Sequence, residues 1–308
     1  MKKTNKKTAF IFPGQGSQYK GMGKRLYQKY DFAKNIFNDA SEILNYDIKE
    51  ICFEDKDNKL GLTKFTQPSI FIYNYILDCL LKNKGIYPDV VAGHSLGEYN
   101  ALVSSGCITY ENALLLIDKR SDLMQNAKTG KMAAIINMEM EELQNLIYCE
   151  KGIIVIANYN SKNQLIISGE KDSIDNFIEK LKLKGIKRIF ELNVSGAFHS
   201  PLMKNARINL EKCINSIVFN DAKIPLYQNY NPKENFHSEK IKLNLINQID
   251  SPVRWYELIN NMKSNKIIKF IEVGPKNVLT KLNKSIFPDS ISFEIESKES
   301  FFNVWFKK

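Results

Sequence analysis

The stretch that most constrains this chain is Gly93-His94-Ser95-Leu96-Gly97, which follows directly on the short apolar run Asp89-Val90-Val91-Ala92. A G-x-S-x-G between a strand and a helix reads as a nucleophile elbow. Its turn is tight enough to strain the backbone at the serine, and the flanking glycines leave the room it needs. The hydroxyl then projects above the sheet edge. A helix beginning at the serine aims its first amides at an oxygen bound there. Ser95 is therefore the candidate nucleophile.

The rest of the chain carries the same rhythm. Thr8–Phe12 is a β-rich strand broken by Pro13-Gly14. Residues 22–44 show helical spacing in two short helices, and residues 68–81 form another helical stretch. After the elbow the pattern is helical through Ser104 and again over 110–127. Alternating strands and helices predict a parallel α/β sheet. The middle differs: strand 132–137, helix 139–147, strands 153–157 and 164–168, amphipathic helix 172–183 and strand 187–192. That β-α-β-β-α-β order predicts a ferredoxin-like subdomain. The α/β rhythm returns with a helix from Met203, a strand near 224–227, helices around Leu245 and over 255–262, a strand over 267–273 and a closing helix. The expected organisation is a large α/β domain of residues 1–128 and 198–308, with a small domain of residues 129–197 inserted.

Composition narrows the function classes. With 44% hydrophobic and 25% charged residues in 308, the chain is ordinary globular material, without long disorder. No apolar run approaches the roughly 20 residues that span a bilayer. The basic N-terminus meets a short strand where a signal peptide would carry an apolar core. A soluble cytoplasmic protein is expected. The net charge of +10 has two readings, attraction to an acidic partner or a lysine-rich composition from coding bias. The lysines are dispersed and form no aromatic-interleaved basic stripe, so no nucleic acid is expected. The five cysteines form no C-x-x-C pair and read as reduced thiols; the three histidines show no metal-ligand spacing.

A serine nucleophile needs a base. His94 sits inside the turn beside the serine and is expected to point off another face. His237 lies in the polar loop Lys233-Glu234-Asn235-Phe236-His237-Ser238 and reads as solvated. His199, in Val194-Ser195-Gly196-Ala197-Phe198-His199-Ser200, lies where the small domain returns to the large one, a border suited to a cleft residue. It is the candidate base. Its mid-chain position, with no carboxylate in its own segment, fits a Ser-His pair steadied by a backbone or amide carbonyl better than a full triad.

The glycine-rich loop Phe12-Pro13-Gly14-Gln15-Gly16-Ser17-Gln18 fails the dinucleotide fingerprint, because no glycine stands three places after Gly16. It also fails the phosphate-binding loop, since Met22 and not Lys follows Gly21. A backbone amide aimed at an oxyanion and an ordinary strand-to-helix turn both remain open for it.

Taken together, Pro13-Gly14-Gln15-Gly16-Ser17-Gln18, Gly93-His94-Ser95-Leu96-Gly97-Glu98-Tyr99, Arg120 within Asp118-Lys119-Arg120, Gly196-Ala197-Phe198-His199-Ser200, Ser251-Pro252-Val253-Arg254-Trp255 and Glu272-Val273-Gly274-Pro275 resemble the malonyl-CoA:acyl carrier protein transacylases. They stand in the family's order and approximate spacing across essentially the whole chain. The resemblance implies an α/β-hydrolase-like core with a ferredoxin-like insert. It implies Ser95 as the acylated nucleophile and His199 as its base, held by the main-chain carbonyl of Gln248. Gln15 and Leu96 would offer backbone amides to the oxyanion, Arg120 would grip the malonyl carboxylate, and His94 would lie beside the bound acyl group. The implied activity moves malonyl from coenzyme A to an acidic acyl carrier protein in fatty acid biosynthesis. The implied enzyme is a monomer and needs no cofactor, the coenzyme A thioester being a substrate. A polyketide acyltransferase, a serine thioesterase and a non-catalytic carrier-binding subunit are the alternatives. The tail beyond Phe287, ending Phe301-Phe302-Asn303-Val304-Trp305-Phe306, matches no family motif, and its apolar residues are expected to cap the core.

Arg120 also stands out physically. It shares a helix face with Leu116, Ile117 and Leu123, where an unpartnered guanidinium is costly. It either pairs with a protein carboxylate or waits for a free one, which its planar fork suits better than a lysine would.

Overall fold

In chain order the elements are β1 (Thr8–Phe12), α1 (Lys24–Lys29), α2 (Asp31–Leu44), α3 (Ile48–Phe53), α4 (Thr63–Asn83), β2 (Val90–Gly93), α5 (Gly97–Ser104), α6 (Tyr110–Gln125), β3 (Lys131–Ile136), α7 (Met140–Tyr148), β4 (Ile154–Ser161) and β5 (Gln164–Gly169). There follow α8 (Lys171–Leu183), β6 (Ile189–Glu191), α9 (Lys204–Asn215), β7 (Leu226–Tyr227), β8 (Glu234–Asn235), α10 (Ser238–Gln248), α11 (Trp255–Ser264), β9 (Lys269–Glu272), α12 (Val278–Ile286) and β10 (Ile291–Glu294). The computed structural model describes residues 7–127 and 130–295.

Six strands form one sheet in the order β10-β9-β1-β2-β7-β8, parallel except for β8. All residues of β1 and β2 are buried, as strands covered on both faces require. Phe10 and Phe12 point into one core, built with helices α2, α4 and α6, while Ala9 and Ile11 face Trp255, Leu258 and Leu279 in a second. Period-two alternation along a single strand thus feeds two cores.

The second sheet is antiparallel, in the order β4-β5-β3-β6, which is the ferredoxin-like arrangement expected from the middle segment. One face packs Ala133, Ile135 and Ile167 against Leu143, Ile174 and Phe177 of helices α7 and α8. On the other face, Met132, Ala134 and Ile166 join the core of the large sheet. Main-chain bonds also tie the two parts together: Tyr159 N donates to Val253 O (2.9 Å) and Val253 N to Ala157 O (2.8 Å).

Three differences from expectation have physical causes. Helix α4 begins at Thr63, five residues before Pro68, which therefore lies inside the helix. The proline leaves the carbonyl of Lys64 without its helical donor, and the hydroxyl of Ser121 donates to it instead (3.1 Å). Helix α5 begins at Gly97 and not at the serine, because Ser95 has a left-handed backbone, φ 50°, that no α-helix continues. Helix α3 and strands β8 and β10 are too short or too near chain ends to show a period. The aromatic tail at 301–306 lies outside the described residues. Among the described residues no helix is long and apolar enough to cross a membrane.

Candidate active site

Ser95 follows β2, with β1 and β7 on either side of that strand. The elbow closes because both glycines lack a side chain. A Cβ on Gly93 would lie 1.9 Å from the Gly97 carbonyl carbon, and one on Gly97 would lie 2.0 Å from the Phe12 carbonyl oxygen. Gly97 N donates to His94 O (3.0 Å), Glu98 N to Ser95 O (3.1 Å) and Tyr99 N to Leu96 O (3.1 Å). The Leu96 amide takes part in none of these bonds.

His199 lies 104 residues further on, yet its Nε2 is 2.7 Å from Ser95 Oγ. Its Nδ1 faces two carbonyls, Gln248 O at 3.0 Å and Ser251 O at 3.2 Å. Two acceptors at Nδ1 place the proton there, so Nε2 accepts from the serine hydroxyl. Burial, followed by the positive charge of Arg120, lowers the imidazole pKa to about 3. The imidazole is therefore neutral at ordinary pH.

Arg120, on α6, is fully buried. Nη1 donates to Gln67 Oε1 (2.7 Å), and Nη2 to Ser95 Oγ (3.0 Å) and Gln248 Oε1 (3.2 Å). Nε has no hydrogen-bond partner, and its carbon lies 5.6 Å from the Tyr99 ring centroid. Among the described residues no carboxylate forms an ion pair with it. Of the two readings of this arginine, pairing with a protein carboxylate does not hold. A cation held by neutral amides and a hydroxyl is available to an incoming carboxylate.

Gln248 does more than its carbonyl suggested. Its side-chain Nε2 donates to Ser95 O (2.9 Å), so one residue contacts the His199 ring, the Ser95 backbone and the Arg120 guanidinium. Gln67 was not legible as a site residue; its signal is a glutamine inside the apolar run of α4. Asn229, two residues after the end of β7, was also missed. Its Oδ1 accepts from Ser95 N (2.6 Å) and its Nδ2 donates to Gly93 O (2.6 Å).

His94 does not point off another face. It lines the same cleft as Ser95, with Nε2 donating to Asn160 Oδ1 on β4 (2.8 Å) and its ring 5.6 Å from that of Trp255. Burial lowers its pKa. The side chain of Gln15 donates to Thr63 Oγ1 (3.1 Å) and its residue lines the cleft beside Leu96. His237 is exposed at the start of α10, away from these residues. The cleft, about 290 Å³, runs between the two sheets, with Met132, Asn158 and Ile166 on one wall and Ser95, Arg120 and His199 on the other.

Comparison with known proteins places nearly the whole chain in a family. Residues 9–292 match the acyl transferase domain family. A malonyl CoA-acyl carrier protein transacylase of Staphylococcus aureus is 38% identical over 299 residues, covering 95% of this chain and 96% of the relative. The crystal structure of MCAT from Streptococcus pneumoniae superposes with a TM-score of 0.91 at 37% identity, covering 98% of this chain and all of that one. A malonyl-transacylase solved in complex with its type II PKS acyl-carrier protein gives a TM-score of 0.91 at 32% identity, over 96% of this chain and 98% of the other. The chain belongs to the acyl transferase domain family and, within it, to the malonyl CoA-acyl carrier protein transacylases.

Proposed function

We propose that this protein moves a malonyl group from coenzyme A to the phosphopantetheine thiol of an acyl carrier protein through an ester on Ser95. The observation that carries the reading is a serine hydroxyl shared between a neutral imidazole and a buried arginine that, among the described residues, forms no ion pair with a carboxylate. Ser95 Oγ bonds to the thioester carbonyl carbon as its proton passes to His199 Nε2. The oxyanion is met by the amides of Leu96 and Gln15, and the imidazolium is steadied by the carbonyls of Gln248 and Ser251. The C–S bond then breaks, and the proton goes from His199 to the departing sulfur. In the second half, His199 takes the carrier thiol's proton, the sulfur attacks the ester, and Ser95 Oγ leaves with that proton. Arg120 binds the malonyl carboxylate and His94 lies beside the acyl group.

We assign the reaction to fatty acid biosynthesis in the cytoplasm, carried out by a monomer with coenzyme A thioester as substrate and no cofactor. A polyketide carrier is the alternative acceptor, favoured by the related transacylase solved with such a carrier. Intact-mass analysis after mixing with malonyl-CoA tests the central step. One malonyl ester should form in the wild type and none in Ser95→Ala. An adduct persisting in Ser95→Ala would remove Ser95 from the reaction. Release of free malonate without carrier protein would favour the thioesterase alternative.

A further inference from the structure

The elbow has a geometric problem that its own glycines do not solve. β2 and β7 pair in parallel, Val91 with Leu226 and Ala92 with Tyr227, so the ladder would continue through Gly93 and His94 against Gln228 and Asn229. At that point β2 turns away, and Ser95 takes φ 50°, a left-handed conformation that is strained for a residue with a side chain. His94 N keeps a strand partner in Phe12 O of β1 (2.9 Å), and His94 O accepts from Gly97 N (3.0 Å). On the β7 side, however, Gly93 O and Ser95 N have no main-chain ladder to join, and an unpaired amide or carbonyl there is expensive.

The side chain of Asn229 stands in for the missing peptide. Its amide has the same donor and acceptor as a backbone unit, and it uses both: Oδ1 accepts from Ser95 N and Nδ2 donates to Gly93 O, each at 2.6 Å. Asn229 is fully buried, and its bond to Gly93 O is buried with it. Its own main chain is anchored in turn, because Asn229 N donates to Glu98 Oε2 (2.7 Å). Gln228 Nε2 donates to the other oxygen, Glu98 Oε1 (3.1 Å). Glu98 lies in the first turn of α5, three residues after the serine, so the clamp closes on the elbow from both ends. On the far side of Ser95 a second side-chain amide, Gln248 Nε2, holds the carbonyl.

We propose that Asn229, anchored by Glu98, is a positioning residue that holds the strained turn so that Ser95 Oγ stays in line with His199 and the Leu96 amide stays turned toward the oxyanion. Because the Ser95 amide is taken by Asn229, the elbow presents the Leu96 amide to the reacting oxygen. The chemistry also explains why an amide is needed. Aspartate could accept from Ser95 N but would set a carboxylate oxygen against Gly93 O, and Asn229→Ala would leave Gly93 O and Ser95 N without the partners they have.

The inference rests on the acyl-transfer reading, so its test includes a reagent that needs neither malonyl nor coenzyme A. In Asn229→Asp and Asn229→Ala, Ser95 malonylation should slow by about 10- to 100-fold with KM changed by no more than about twofold, since a misplacement near 1 Å costs on that order. Labelling of Ser95 by a small fluorophosphonate should slow by the same factor. A clamp with a purely structural role would lower the melting temperature and leave the labelling rate of the folded variant unchanged. Labelling within about twofold of wild type in either folded variant would overturn the proposal. Should neither variant fold, amide exchange in the wild type decides. The Ser95 N–H should be protected as strongly as the amides of β2, and rapid exchange there would overturn the clamp. Since the label ignores the acyl group, its rate ratio tests Asn229 even where the malonyl reading fails.

Discussion

Arg120 donates from Nη2 to the hydroxyl oxygen of Ser95 across 3.0 Å, so the cation that would select the substrate also touches the atom that attacks it. The same guanidinium helps keep His199 neutral. In the proposed reaction selectivity and nucleophile activation would be coupled through this one side chain, and the consequences can be separated experimentally.

Malonyl differs from acetyl by one carboxylate, and a charge-assisted contact to it is worth roughly 1.5–3 kcal/mol. Arg120→Ala should lower malonyl transfer by about 10- to 150-fold relative to acetyl transfer. Arg120→Lys should recover part of this, because a point charge cannot reproduce the fork. The measurement is the malonyl-to-acetyl ratio of kcat/KM in a variant that melts near wild type. A ratio unmoved by Arg120→Ala would take the carboxylate contact off this residue.

The pH profile follows from the burial of His199. Its pKa is lowered from 6.5 to about 3, so the imidazole gains no proton as pH falls from 8 to 5. Formation of the Ser95 ester should show no loss of rate from imidazole protonation in that window. Glu98 is the group to watch there, since burial raises its carboxyl to about 7 against the bonds from Asn229, Gln248 and Gln228 that favour its charge. Single-turnover rates from pH 5 to 8 in wild type and Glu98→Gln separate the two. An inflection near 6.5 that survives in Glu98→Gln would show that His199 titrates there, contrary to this account.

The net charge of +10 makes a kinetic prediction. If it serves an acidic carrier, transfer to carrier protein should slow as salt rises, while transfer to free pantetheine changes little. Rates for both acceptors across a salt series provide the check. Equal sensitivity would reduce the lysines to composition.

Much of the chemistry was local enough to read. Gly93 and Gly97 flank the serine because any side chain there would meet backbone within about 2 Å, and that requirement is written into five consecutive residues. His199 could be reached by elimination because the chain holds three histidines. The parallel sheet and the ferredoxin-like insert left their periods in the apolar pattern. What supports the site left no such trace. Gln67 lies 53 residues from Arg120, Asn229 lies 134 from Ser95, and the Gln248 amide lies 153 from the serine carbonyl it holds. A buried glutamine or asparagine has no periodicity, and its sequence neighbours do not say which distant peptide it will pair with. Even His94 was misdirected on local grounds, because its direction is set by Asn160 on the other sheet. Sequence alone determined the type of fold and picked out the candidate nucleophile and candidate base, since these depend on steric rules acting over a few residues and on a short list of histidines. Which amides hold Ser95 in its strained turn, and that Arg120 forms no ion pair with a carboxylate among the described residues, only tertiary packing decided, because those facts depend on which polar groups are buried side by side.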